Sequence, residues 1–157
     1  MTEDGGALTV SVERLQGVPW FAACTDEQLA RIARLAEHLH VQDGEVILRE
    51  GRLGRELYII LDGTVMVSRA GRDINEWGPG DYFGELAAID EAPRSATVRA
   101  TSDLEVLIVG PRDLEAMMEI RGFRNALLLG MSRRIREADN KLAEIAENED
   151  ETSPSRG

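Results

Sequence analysis

The spacing of hydrophobic positions predicts helices near both ends of the chain and short strands between them. After Thr25 the apolar residues recur at helical intervals, and Thr25 with Gln28 has the pattern of a capping box. These apolar residues are Leu29, Ile32, Ala33, Leu35, Ala36 and Leu39. A shorter helical pattern, SVERLQGV, ends before Pro19, which disfavours helical geometry at the residue preceding it. We therefore expect N-terminal helices within residues 11–38.

In residues 39–110 the hydrophobic period changes to two, which is typical of strands. Short runs rich in β-branched residues, among them EVILRE, ELYIIL, TVMVSR and LEVLIVG, are separated by Asp-Gly, Gly-Arg and Pro-Gly breaks. No full-length helix lies between these runs, which favours an antiparallel arrangement over a parallel sheet. We expect roughly six or more strands in an antiparallel sandwich or jelly-roll barrel.

The helical period returns after Pro111. Residues 111–120 indicate a short helix, and residues 122–147 indicate one long helix. In the long helix a set of apolar residues is spaced alternately three and four positions apart, which is the spacing of a coiled coil. This seam consists of Leu128, Met131, Ile135, Ala138, Leu142 and Ile145. We expect it to pair with another helix, as in a homodimer through residues 128–145; the alternative is that it packs back onto the barrel.

Length and charge limit the domain organisation and the partners. The 157 residues fit one domain, which we expect at residues 11–147 between loose polar segments at 1–10 and 148–157. The chain has 29 acidic and 18 basic residues and a formal net charge of −11, so it repels nucleic acid and anionic membrane surfaces. We expect neither as a partner. The single cysteine, Cys24, and a start without an export signal favour a cytoplasmic location.

The segment FGELAAIDEAPRSATV, residues 83–98, combines the features of an anion site. A short helix is predicted to begin at Gly84, and the unpaired N–H groups at a helix start attract phosphate. Arg94 adds a planar cation, and Ser95 adds a hydroxyl donor. The carboxylate of Glu85 repels a phosphate unless the ligand also carries a hydroxyl group from which the carboxylate can accept. A ribose phosphate has both groups.

This segment closely resembles the phosphate-binding cassette of the cyclic nucleotide-binding domain family, here residues 83–97. The family pattern F-G-E-L-A, a spacer and P-R-x-A-T-V is matched by Phe83, Gly84, Glu85, Leu86, Ala87, Pro93, Arg94, Ala96, Thr97 and Val98. The similarity continues in GEVILREG, LYIILDGTVMV and WGPGDYFGE, and covers about residues 15–145. It implies a mixed α and β fold in which an eight-stranded antiparallel jelly-roll barrel lies between N-terminal helices and a short and a long C-terminal helix.

The same resemblance implies how the ribose phosphate is held. Arg94 pairs with the cyclic phosphate, and Glu85 accepts a hydrogen bond from the ribose 2′-hydroxyl. The N–H groups of Leu86 and Ala87, which follow Gly84 at the helix start, cap the phosphate. These roles agree with those inferred from the residue types alone.

Recognition of the base is implied less completely. Ser95 lies at a position linked to the choice between cAMP and cGMP, and serine there favours cAMP. Val67 and Ile74 match apolar positions that line the purine pocket. The Thr-Ser pair with which the long helix of related bacterial activators reads adenine is absent here, so Asp139 and Asn140 are our candidates to accept from the 6-amino group.

The loop GRLGRELY departs from the small-Gly-Asp element that is usual in the family. It places Arg52 and Arg55 on the side of the barrel where the cassette lies. Either arginine could therefore brace Glu85.

These features predict a sensor of a cyclic nucleotide and not an enzyme. His38 and His40 are the two histidines of the chain, too few for a histidine metal cluster on neighbouring strands, and we expect neither metal nor cofactor. No helix-turn-helix, channel or catalytic domain is visible, so we expect a stand-alone module whose helices at 111–147 relay ligand binding to a dimer or to an unidentified protein effector. The alternative is a degenerate domain that binds no nucleotide and serves in dimerisation or docking.

Overall fold

Helices at both ends of the sequence flank eight strands in the computed structural model, which describes residues 11–152 and the side chains of residues 11–150. The helical segments are α1 (Val12–Gln16), a 3₁₀ turn (Pro19–Phe21), α2 (Asp26–Leu35), α3 (Glu85–Asp90), α4 (Pro111–Met117) and α5 (Arg121–Thr152). The strands are β1 (Glu37–Val41), β2 (Val46–Leu48), β3 (Leu57–Asp62), β4 (Val65–Arg69), β5 (Arg72–Trp77), β6 (Tyr82–Phe83), β7 (Thr97–Ala100) and β8 (Leu104–Val109). The segment 1–10 and the end of the segment 148–157, both predicted to be loose, lie outside the described residues.

The strands form two four-stranded antiparallel sheets, with the orders β1-β8-β3-β6 and β2-β7-β4-β5. The predicted antiparallel barrel is therefore confirmed. In β3 and β8, neighbouring residues serve different cores: Ile60 and Val106 pack between the sheets, whereas Ile59 and Leu107 pack against the helices. Burial on both faces explains why these strands are continuous apolar runs in the sequence.

The N-terminal helix α2 begins as its capping residues predict. Thr25 Oγ1 accepts from the Gln28 N–H at 3.1 Å, and Gln28 Oε1 accepts from the Thr25 N–H at 3.0 Å. The predicted end of the helix was wrong, because α2 stops at Leu35 and Leu39 belongs to β1, opposite Val106 of β8. Pairing with a sheet outweighs the helical period at this boundary.

Helix α5 is packed at its start and exposed over the rest of its length. Phe123 and Leu127 are buried in the core, whereas the side chains of residues 135–150 are exposed. The helix continues to Thr152, beyond the predicted end at residue 147, because no glycine or proline interrupts that segment. Within residues 11–152, no helix combines the length and apolar character that a membrane crossing requires.

Candidate functional site

A cavity lies between the start of α3 and the sheet that contains β2, β7 and β4. The cavity brings together most of the predicted site residues: Val67, Gly84, Glu85, Leu86, Ala87, Arg94 and Ser95. Leu48, Trp77, Phe83, Ala96 and Val98 complete its lining. Phosphate donors and an apolar surface thus face the same space.

Gly84 shapes the start of α3. It has φ +86°, in the left-handed region, and a Cβ atom at this position would lie 2.6 Å from the carbonyl oxygen of Glu56 and 2.9 Å from Arg94 Nη1. Glycine avoids both the backbone strain and the contact. The chain can therefore turn directly into a helix whose first N–H groups, without partners inside the helix, border the cavity.

Arg94 is a buried cation, with 6% of its surface exposed. Its Nη1 donates to the carbonyl oxygens of Glu56 and Gly84, both at 3.1 Å, which fixes the plane of the guanidinium. Among the described residues, no carboxylate lies within ion-pair distance of it. A buried charge without a counter-charge is costly, and that cost falls when an anion binds.

Glu85 is held by α5 and not by the loop that precedes β3. Arg134 Nη1 lies 3.3 Å from Glu85 Oε1, and Arg134 Nη2 donates to the Tyr82 carbonyl oxygen. The expectation that Arg52 or Arg55 braces Glu85 was wrong, since Arg55 lies 3.6 Å from Glu91 and neither contacts Glu85. Glu85 Oε2 has no hydrogen-bond partner in the described part of the chain, so it can accept from a ligand.

Arg134 also lies between two aromatic rings. Its guanidinium carbon is 3.9 Å from the centroid of Trp77 and 3.7 Å from that of Tyr82, which are cation–π distances. Gly130, one helical turn earlier, allows this approach, because a Cβ atom there would lie 2.7 Å from Tyr82 Cε1. Sequence reasoning missed Arg134, because nothing near it in the sequence indicates a contact with the cassette.

Ile74 does not line the cavity, although it was predicted to do so. A bulge in the pairing of β4 and β5 places Asn75 opposite Val67 and Asp73 opposite Ser68, which leaves Ile74 between them and 43% exposed. Trp77, at the end of β5, lines the cavity instead. The alternation of side chains along the strand would indicate Trp77 only if the bulge were known.

Asp139 and Asn140 are exposed on the part of α5 that extends past the barrel, and neither lines the cavity. Asp139 shares a helix face with Leu128 and Ile135 of the seam. Their contact with adenine therefore stays a prediction without a structural counterpart in this arrangement of α5.

Tyr82, on which Arg134 rests, gives a prediction about alkaline pH. Burial raises the pKa of Tyr82 to about 12, although Arg134 acts in the opposite direction. Between pH 10 and 12 an unfolded chain loses the tyrosine proton that the folded chain keeps, so the free energy of unfolding should fall by ~2–3 kcal/mol over this range. Urea titrations at pH 8 to 12 measure the fall.

Tyr82→Phe should remove most of this fall. The variant should be no less stable than the wild type at pH 7, because Tyr82 Oη has no hydrogen-bond partner among the described residues. Tyr58, whose pKa is also raised by burial, accounts for a residual slope. An unchanged slope in Tyr82→Phe would contradict the assignment.

Comparison with known protein families shows to which family a chain with this site belongs. The profile of the cyclic nucleotide-binding domain matches residues 38–121, from β1 through the cassette to the start of α5. The chain belongs to the cyclic nucleotide-binding domain family. The resemblance inferred from the cassette is thereby confirmed, and domains of this family that are related to the chain are regulatory or sensor domains.

Named relatives of this cyclic nucleotide-binding domain include a kinase subunit and a bacterial receptor. The cAMP-dependent protein kinase regulatory subunit of Hypocrea atroviridis is 30% identical over 127 residues, which are 80% of this chain and 28% of the subunit. The cyclic AMP receptor protein of Thermus thermophilus is 30% identical over 134 residues, 82% of this chain and 62% of the receptor. The crystal structure of the Thermus thermophilus catabolite activator protein matches with a TM-score of 0.73 and 30% identity, covering 82% of this chain and 63% of that protein. The chain spans only about a quarter of the length of several curated relatives.

Proposed function

We propose that this domain, residues 11–147, is a cytoplasmic sensor that binds cAMP in preference to cGMP and passes the signal on through its C-terminal helices. The observation that carries the proposal is the buried guanidinium of Arg94, which has no counter-charge among the described residues and lies beside the free N–H groups of α3. A buried cation next to a helix start is suited to an anion, and a phosphate can accept from the guanidinium and from the N–H groups together.

The cyclic phosphate would take the donors that Arg94 does not use within the chain. Nη1 is engaged by two carbonyl groups, whereas Nε and Nη2 make no hydrogen bond among the described residues. The N–H groups of Leu86 and Ala87 supply further donors. Glu85 would accept from the ribose 2′-hydroxyl through Oε2, while Arg134 holds Oε1.

The preference for cAMP rests on Ser95 and on the relatives. Ser95 borders the cavity next to Arg94, at the position that the family resemblance links to the choice of base. The names of the related kinase subunit and of the related bacterial receptor both specify cAMP. Both observations support cAMP for this chain.

Thermal unfolding with and without nucleotide tests the proposal. A ligand at 100 times its dissociation constant adds about 2.7 kcal/mol to the free energy of unfolding. We expect a higher Tm with cAMP, a smaller rise with cGMP, and no rise with linear 5′-AMP as the matched control. No rise with either cyclic nucleotide at millimolar concentration would favour the degenerate docking module, and a larger rise with cGMP would reverse the preference.

The seam on α5 supports an output through helix pairing. Four apolar residues of the seam are between 54% and 64% exposed: Leu128, Ile135, Leu142 and Ile145. Because they are exposed, these four side chains do not pack back onto the barrel, which was the alternative. We propose that the seam of one chain pairs with that of a second chain, and that nucleotide binding changes this pairing by moving α5 through Arg134.

A charge placed in the seam should dissociate such a dimer. Ile135→Glu puts a carboxylate into the apolar interface, whereas Ala143→Glu adds the same charge to the same helix outside the seam. Sedimentation should show the wild type and Ala143→Glu as dimers and Ile135→Glu as a monomer. Three dimers would place the interface elsewhere, and a monomeric wild type would contradict pairing of the seam with a second copy of this chain.

A further inference from the structure

Trp77 presents an aromatic surface to the cavity, whose other open apolar walls are aliphatic. It lies at the end of β5 opposite Val65, a buried residue of β4, so its side chain lies on the face of the sheet that forms the barrel interior. Phe83 also borders the cavity, but it is 2% exposed and already stacked on Tyr58, with ring centroids 5.0 Å apart. Trp77 is half-buried and keeps surface for a further contact.

The indole of Trp77 is held in place before any ligand arrives. The guanidinium of Arg134 lies over the ring at 3.9 Å and is itself fixed by Glu85 and by the Tyr82 carbonyl group. Arg134 does not line the cavity, whereas Trp77 does. The part of the indole that faces the cavity is therefore uncovered, and it is preorganised, which lowers the entropic cost of stacking.

The connectivity of a nucleotide brings its base to this ring. Arg134 contacts both Glu85 and Trp77, so a single guanidinium group separates the indole from the carboxylate proposed to hold the 2′-hydroxyl. The base is attached to C1′, the carbon next to the one that carries this hydroxyl. A ribose anchored at Glu85 therefore directs its base toward Trp77.

We propose that Trp77 is a platform on which the base of the bound nucleotide stacks. The inference rests on the proposed function and adds to it a residue that determines affinity for the base. Every base has a π face, so stacking discriminates little between adenine and guanine, but it favours the larger purines over pyrimidines. Trp77 thus strengthens binding of cAMP and cGMP alike, and that of cyclic CMP less.

Isothermal titration of wild type, Trp77→Leu and Trp77→Phe with two ligands tests the platform. The ligands are cAMP and ribose 3′,5′-cyclic phosphate, which lacks the base. Trp77→Leu should weaken cAMP binding roughly 5- to 100-fold and binding of the ligand without a base far less, because the stacking surface is lost whereas Arg134 keeps its contacts with Tyr82 and Glu85. The affinity of Trp77→Phe for cAMP should lie between those of the wild type and Trp77→Leu. Trp20→Phe changes the tryptophan outside the cavity and should bind cAMP like the wild type.

Fluorescence gives a second readout that needs no change at Trp77. In Trp20→Phe the remaining tryptophan is Trp77, and its emission should be quenched by saturating cAMP but not by the ligand without a base. This measurement decides the question if Trp77→Leu fails to fold.

The outcomes separate the two proposals. A wild type that binds no cyclic nucleotide overturns the sensor function and, with it, the platform. A wild type that binds cAMP, together with a folded Trp77→Leu of equal affinity or unquenched Trp77 emission, overturns the platform alone.

Discussion

Replacing Arg94 with alanine is expected to weaken cyclic nucleotide binding by roughly 2–5 kcal/mol, which corresponds to about 30- to 4,000-fold in Kd. Arg94 is 6% exposed and lies near no carboxylate among the described residues, so a bound phosphate would lose the one buried cation that these residues offer. Isothermal titration with cAMP measures the loss, and the cAMP-induced rise in Tm should disappear at ligand concentrations that saturate the wild type.

Two further variants make this test specific. Arg99→Ala removes an exposed arginine of β7, five residues along the chain, and should bind cAMP like the wild type. Arg94→Lys keeps the charge but loses the planar fork, so its affinity should fall between those of the wild type and Arg94→Ala. If Arg94→Ala bound cAMP as tightly as Arg99→Ala, the assignment of the phosphate site would be wrong.

Gly84→Ala is expected to lower both stability and nucleotide affinity. A left-handed residue with a Cβ costs about 1–2 kcal/mol, and the 2.6 Å approach to the Glu56 carbonyl oxygen adds roughly 1–3 kcal/mol of overpacking. Relief of this contact shifts the start of α3 and its N–H groups relative to Arg94. Thermal unfolding and cAMP titration measure the two effects.

Gly71→Ala is the matched control for the backbone. Gly71, between β4 and β5, has φ +78°, but nothing lies within 4 Å of an added Cβ atom. Gly71→Ala should lower the free energy of unfolding only by the cost of a left-handed backbone, about 1–2 kcal/mol, and should leave the affinity for cAMP unchanged. If Gly84→Ala and Gly71→Ala were equally destabilised, the contact with the Glu56 carbonyl oxygen would contribute nothing to the loss of stability at Gly84.

The cassette could be predicted from the sequence because its parts are close together in the chain. Gly84, Glu85 and Arg94 lie within one loop and helix, so residue types and spacing suffice to indicate an anion site with a hydroxyl acceptor. The antiparallel barrel was predictable for a related reason, since short alternating runs and turn residues are local signals. The capping box of α2 was likewise predictable from two residues three positions apart.

The rest of the site depends on contacts between distant segments. Arg134 reaches Glu85 across a separation of 49 residues, and only the three-dimensional path of α5 brings the two together. The exchange of Ile74 for Trp77 depends on a bulge, which shifts the inward face of β5 without a mark in the hydrophobic pattern. Each of these misses concerns register or tertiary packing rather than residue type.

The length of α5 beyond Arg134 has a mechanical consequence. The roughly 18 residues that follow Arg134 rise about 27 Å along the helix axis. If the helix tilts as a rigid rod about Arg134 by roughly 10°, its far end moves sideways by about 5 Å. If nucleotide binding at Glu85 tilts α5 in this way, the far end of the helix moves by about the spacing between two strands.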